Sequence, residues 1–420
     1  MGSIYDIDQP VRQTLGNVKV AVSSSGNDAN PLRPPYAATG DFSGWPFLTI
    51  QAAVNFLNKN TGPSSYRQKV VVAANGSAYA GFNLEGFAGS GDVAIIMPFA
   101  AATLTTGPNS GTAGSGTSTT QVNQPTSAVN WTAANLRGRF MQITSGGGAS
   151  GDADLPTIRP IKSNTTTSFI VDAVPGMDST TVFTIVLPAA TCAQSASPPI
   201  AGKVMCCTVQ NCQAPVKIYG LQCVQAGCDY GLYSTNNVRL ECWGGLQAQS
   251  STVAQVRSLD DRYFKYDDAV LNGSANLWVT DAQWCEVNRI TEDTATVLIE
   301  ECRNVIVQAD AQTCSGTAVQ IQQSGYVKVG LNANSCTTTP LVLYSCSRLE
   351  VQNGGLTGGS NTTAYGVIFG KAGSYSMSGT TLTGASGDFQ IDGTTSTWAN
   401  LGTQQSVVGQ YGMTVITVSG

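Results

Sequence analysis

From Gly227 to Gly384 apolar and polar positions alternate in short segments, and the segments recur. Val297-Leu298-Ile299 leads to Val305-Ile306-Val307, Val319-Gln320-Ile321 to Val327-Lys328-Val329, and Leu341-Val342-Leu343 to Leu349-Glu350-Val351. The anchors Leu232, Val270, Val297, Val319, Leu341 and Val367 are 38, 27, 22, 22 and 26 residues apart. The first gap has room for two turns of about 19 residues, so every step reads as one repeat. Alternation at period two marks strands, and the Gly, Asn, Ser and Thr between them mark turns. A unit this short buries its apolar face only by stacking on the next. Leucine-rich repeats share the period, but their Leu-x-x-Leu-x-Leu signature is absent. The pattern predicts an all-β chain, a single-stranded parallel β-helix.

Two other regions follow different rules. In Thr49-Ile50-Gln51-Ala52-Ala53-Val54-Asn55-Phe56-Leu57, the residues Ile50, Ala53, Val54 and Leu57 fall at i, i+3, i+4 and i+7. That is one apolar helix face, with Thr49 as N-cap. A short amphipathic helix before the first rung covers the open end that a solenoid must cap. Between Asn130 and Pro188 the repeat lapses. Phe140-Met141-Gln142-Ile143, Thr157 to Ile161, Ser168 to Val171 and Val182 to Val186 are strand-like runs. They predict an inserted antiparallel β subdomain, preceded by a low-complexity loop from Gly107 to Gln124 whose composition is that of a flexible linker. Gly146 to Gly148 is not a phosphate loop, because no Gly-Lys-Ser/Thr follows.

Pro46 to Val54, with Val70-Val71-Val72 and Gly76-Ser77-Ala78-Tyr79, resembles the capping helix and first rung of pectate-lyase-like right-handed β-helices. Among these, the chain looks most like bacteriophage virion proteins of the tailspike and tail-fibre kind, over residues 40–100 and 200–385. The resemblance implies a right-handed coil, a homotrimer and a place on the virion. It carries no catalytic residues, since no shared active-site motif is matched. Five parts are expected: a virion-attachment segment at 1–44, the capping helix and first rungs at 45–106, the loop and insertion at 107–200, the main β-helix at 201–397, and a C-terminal β segment at 398–420 as an oligomer contact. Met413 to Val418 is a strongly β-prone run that a partner or the same chain must cover.

Composition narrows the function. Charged residues make up 11% of 420, with 46 glycines and a net charge of −5. No basic run exists to neutralise phosphates, so nucleic acid is not an expected partner. No apolar stretch reaches the roughly 20 residues that span a membrane. Residues 1–9 carry no signal peptide. Histidine is absent, which removes Ser-His-Asp and Cys-His catalysis and His-containing zinc sites. The twelve cysteines include no Cys-x-x-Cys pair, so neither metal nor cofactor is expected. Several cysteines fall in register. Cys314 and Cys336 each lie seven residues after a strand end and are candidates for an inter-rung disulfide, the alternative being buried thiols throughout.

Eleven of the 26 acidic residues lie between Asp260 and Asp310, beside five aromatics. Carboxylate pairs next to aromatic platforms suit glycan cleavage, and aromatic faces alone suit glycan binding. Solvated turn acids are the plain alternative. The hydrolytic candidates are Asp281, Glu286, Glu300 and Glu301. The glycan-platform candidates are Tyr263, Tyr266, Trp278 and Trp284. The expectation is a structural appendage of a virus particle (tailspike, tail fibre or neck-associated) that contacts host surface polysaccharide, with a depolymerase on the same scaffold as the alternative.

Overall fold

The computed structural model describes residues 17–29, 41–61 and 67–410, apart from short connecting segments within the last span; side chains are described as far as Val351. Strands stack in parallel into a β-solenoid of about 12 turns, with one short helix among the described residues. Two long walls run along it, a 13-stranded sheet and an 11-stranded sheet. Leu232, Val256, Leu277, Val297, Val319, Leu341 and Val367 form one column of the second wall. Those of them up to Leu341 are 0% exposed. Stacked β-branched and Leu side chains fill the interior at each rung, which is where the stabilising apolar burial lies.

Val270, which the spacing assigned to that column, is not in it. It ends the strand Tyr263–Val270 in the first wall, and between Leu232 and Val297 the column holds Val256 and Leu277 instead. The stack also continues beyond Gly384, where repeat spacing no longer shows it. Gly387–Asp392 pairs with Tyr365–Gly370, and Val407–Gln410 pairs with Gly387–Asp392. Met413 to Val418 lies outside the described residues.

The helix Ile50–Thr61 begins as predicted. Thr49 Oγ1 accepts from the Ala52 amide at 3.1 Å, and Asp28 accepts from the Leu48 and Thr49 amides at 2.7 and 3.0 Å. Ile50, Ala53, Val54 and Leu57 are buried against the end of the solenoid. Phe56 packs against Phe42 and Phe47 at centroid distances of 5.0 and 5.4 Å. Val18–Val22 belongs to this end rather than to a detached segment. It pairs in parallel with Gln68–Val72 and with Asp41–Phe47 in the first wall. The rest of the expected attachment segment, residues 1–16 and 30–40, lies outside the described residues.

The insertion is an antiparallel sheet of seven strands. Phe140–Ser145 sits between Thr157–Asn164 and Val182–Pro188. The low-complexity stretch is not a bare linker, because Ser110–Thr112 and Gln121–Asn123 are strands of this sheet. Trp131, Phe169 and Phe183 form its core, with centroids 5.4 to 6.5 Å apart. Gly146 has φ +78°, and a Cβ there would meet the Thr180 carbonyl at 1.9 Å, so the turn admits only glycine.

One corner of the solenoid repeats its backbone. Directly after a strand of the second wall, Asn211, Asn236, Asp260, Asp281, Glu301, Gln323 and Ser345 all adopt positive φ, between 52° and 59°. The next residue points inward: Cys212, Asn237, Asp261, Ala282, Cys302, Ser324 and Cys346, each at most 2% exposed. The polar members satisfy one another. Asp261 accepts from Ser234 Oγ at 2.5 Å, Ser258 Oγ at 2.7 Å, the Asn237 amide at 2.9 Å and Asn237 Nδ2 at 3.0 Å.

Candidate functional site

Outward positions of the first wall fall into columns one rung apart, about 4.8 Å. Lys217, Glu241, Lys265 and Glu286 follow one another with alternating charge. Lys265 pairs with Glu286, and Glu241 takes hydrogen bonds from the Arg239 guanidinium and from Trp243 Nε1 at 3.2 Å. Beside this column stand Tyr219 and Trp243, paired rung to rung. On its other side Tyr263, Trp284, Asn304, Tyr326 and Arg348 succeed one another. Trp284 is 38% exposed. Arg239 lies over the Tyr263 ring at 4.4 Å and Arg348 over Tyr326 at 5.4 Å, while the two phenols donate to Glu286 and Glu350.

The insertion docks on the same wall. Phe140, Ile158 and Val186 meet Ile290, and Leu155 meets Ala94, Ile96 and Tyr219. Ion pairs fix it: Asp152 with Arg67 and Lys69 at 3.0 Å each, Asp154 with Lys19 and Lys69 at 2.7 Å each, and Arg137 with Asp310 at 2.7 Å. Between insertion and wall a cleft of about 760 Å³ remains. Arg67, Lys69, Asp152, Arg159, Lys217, Tyr219 and Trp243 line it. The Trp243 indole lies 4.7 Å from both the Arg159 guanidinium and the Lys265 ammonium.

The electrostatics of the cleft are settled by these pairs. Burial opposes ionisation of Asp92, but hydrogen bonds from Arg67 and Lys217 outweigh it and hold the carboxyl below its usual range. Asp152 behaves alike through Lys69 and Arg67. Burial and the Glu241 charge push the Tyr219 phenol up, so it stays a hydrogen-bond donor at neutral pH. Asp267 is pushed up to about 6 by burial, but it is 1% exposed and hydrogen-bonded by Asn288 at 2.8 Å. The cleft thus offers an aromatic face, fixed cations and hydrogen-bond donors to a polar ligand.

The residues singled out from sequence divide between two faces. Tyr263, Trp284 and Glu286 lie together on the first wall, next to the cleft. Trp278 and Glu300 lie on the second wall, where Trp278 Nε1 donates to Glu300 at 2.6 Å and Arg257 covers the indole at 4.0 Å. Asp281 and Glu301 occupy the exposed positive-φ corner. The four carboxylates are therefore not brought to one place. Tyr266 is no surface platform: it faces the interior at 1% exposure, stacked on Phe264 at 6.0 Å. Cys336 is buried beside the Ala311 carbonyl, and its suggested partner Cys314 lies outside the described residues. Arg67, Lys69, Arg159, Lys217, Tyr219 and Trp243 were not foreseen. Aligning rungs would have shown the alternating Lys217, Glu241, Lys265 and Glu286, though not the insertion that closes over them.

No family model matches the chain, and no curated protein matches it. Among solved structures it is similar to the tailspike gp49 of Pseudomonas phage LKA1, at 10% identity and TM-score 0.18, covering 80% of this chain and 67% of that one. It is similar also to the gp54 tailspike of Acinetobacter baumannii bacteriophage AP22, solved with a capsular saccharide, at 9% identity and TM-score 0.24, covering 86% and 74%. XylC in complex with xylose matches at 9% identity and TM-score 0.30, covering 90% and 76%. Similarity this slight carries no function to the present chain. No helix among the described residues is long and apolar enough to cross a membrane.

Proposed function

We propose that this chain is a glycan-binding appendage of a virus particle, and that polysaccharide lies along the outer face of the first wall. The observation that carries the binding reading is Trp243 beside two cations in the cleft beneath the insertion, with the exposed Trp284 two rungs along the same wall. Indole faces stack on sugar rings, and the neighbouring guanidinium, ammonium and phenol groups meet hydroxyls or carboxylates. The particle assignment rests on the low charge and glycine-rich composition, which among pectate-lyase-like β-helices, the group that Pro46 to Tyr79 resembles, are most like those of virion proteins. On this reading residues 1–44 attach to the particle, the chain is a homotrimer, and residues 398–420 contribute to the trimer.

The test is a screen of purified chain against bacterial surface polysaccharides, followed by titration calorimetry on any that bind. Trp243→Ala and Trp284→Ala are expected to weaken binding by about tenfold each, or about 1.4 kcal/mol. Binding unchanged in both variants would remove the proposed site. Mass measurement in solution tests the trimer. The appearance of new reducing ends or unsaturated products would move the reading to a depolymerase.

A further inference from the structure

Four cysteines converge where the chain returns from the insertion to the solenoid. Cys192 lies in the strand Thr191–Ala193, which pairs with Ala78–Ala80 and forms a bridge to Cys223. Cys206 and Cys207 lie in the next strand, Met205–Gln210. All four are at most 1% exposed, and none is in a disulfide. The Sγ atoms of Cys206, Cys207 and Cys223 lie within 4.8 Å of one another, and Cys192 stands beside Cys223 on the adjoining strand.

Consecutive residues of a regular strand project to opposite faces. Cys206 and Cys207 break that rule, for both belong to the interior cluster. The ladder is interrupted there without a shift of register: Met205 pairs with Tyr230 and Cys207 with Leu232, and Cys206 lies opposite Gly231. The irregularity brings the two sulfurs to 3.9 Å. A tetrahedral zinc site with Zn–S of about 2.3 Å has sulfurs about 3.8 Å apart. The link between Ala78–Ala80 and Asn83–Glu85 passes close to the Cys206 backbone: a Cβ on Gly81 would meet the Cys206 carbonyl oxygen at 1.8 Å. The other interior thiols are ordinary by comparison. Cys212, Cys302 and Cys346 each sit singly beside a backbone carbonyl at 3.2 to 3.5 Å.

We propose that Cys206, Cys207 and Cys223, with Cys192 drawn in from the adjoining strand as the fourth ligand, form a closed thiolate site for zinc. An all-sulfur donor set selects a soft or borderline cation, and a site with four protein ligands leaves no position for substrate, so its role is structural. Binding exchanges thiol protons for the metal and releases them to solvent. The ion ties together the strand leaving the insertion, the first strand of the main solenoid and the segment after Val216–Tyr219. The Cys-x-x-Cys spacing that usually announces such a site is absent because parallel stacking, not a local turn, assembles it.

The experiment is elemental analysis of the full chain purified without chelator from zinc-supplemented cells. Stoichiometric zinc is expected in the wild type and in Cys346→Ser, whose position is held by Ser324 one rung earlier. Cys207→Ser and Cys223→Ser are expected to lose the metal. Should those two variants fail to fold, cobalt(II) added to the wild type provides the second measurement, with tetrahedral thiolate charge-transfer bands expected. A wild-type chain that takes up neither zinc nor cobalt overturns the site, as does an intact mass showing these thiols joined in disulfides.

Discussion

Asp261→Ala tests the polar interior directly. The carboxylate is 0% exposed and accepts four hydrogen bonds from Ser234, Ser258 and Asn237. Alanine removes every acceptor and leaves at least two buried donors, the Asn237 amide and the Ser258 hydroxyl, with nothing in reach. Each orphaned buried donor costs about 1–3 kcal/mol. Burial also raises the Asp261 pKa, so the native carboxylate already carries a desolvation cost that its removal relieves. The net loss expected is about 3 kcal/mol. Because a solenoid unfolds rung by rung, the fitting assay is amide hydrogen exchange rather than a single melting point. Protection at Asn237 and at Cys212, whose amide donates to Asn237 Oδ1 at 2.9 Å, is expected to fall about a hundredfold. Asp261→Asn, which keeps one acceptor oxygen, should lose less. Unchanged protection in Asp261→Ala would refute the view that this carboxylate organises the corner.

Other outcomes follow from the same reasoning. Asp267 has its folded pKa raised to about 6, so the folded state holds a proton that the unfolded state has released. Its contribution is full below about pH 4 and is lost as pH rises to about 6, by about 3 kcal/mol; Asp267→Asn should remove that slope from the pH dependence of thermal stability. Arg137→Met breaks the ion pair to Asp310 and should speed exchange in the insertion strands while leaving Val297–Glu300 protected. Thr49→Ala removes the helix cap and should cost about 1 kcal/mol in denaturant titration.

The solenoid was legible where chemistry was repetitive. Val297, Val319 and Leu341 sit 22 residues apart with aliphatic neighbours at period two, and they stack as that spacing requires. The rung Ala254–Leu259 was passed over because its inward Ser258 is polar, bound to Asp261, and its outward Leu259 is apolar. Hydrogen bonding inside the corner had erased the alternation that marks a strand. Ser110–Thr112 and Gln121–Asn123 escaped notice for a related reason: they are held by backbone pairing, for which side-chain composition is no guide. The cleft was invisible because its walls come from distant segments; Arg67 and Asp152 are 85 residues apart. Trp284 and Glu286 were found because acidic and aromatic residues crowd between Asp260 and Asp310, and one strand, Trp284–Glu292, carries both.

The corner with positive φ has a fixed length in the five later rungs, three residues as in Asp281–Gln283 and Glu301–Arg303. The opposite connections do not: residues 244–253 make ten between Trp243 and Ala254, and residues 293–296 make four between Glu292 and Val297. In those five rungs chain length is held constant on one edge and varies on the other. Diversity, whether natural or introduced in a library, has a permissive seam along the variable connections, and grafts placed there leave the scaffold's register intact.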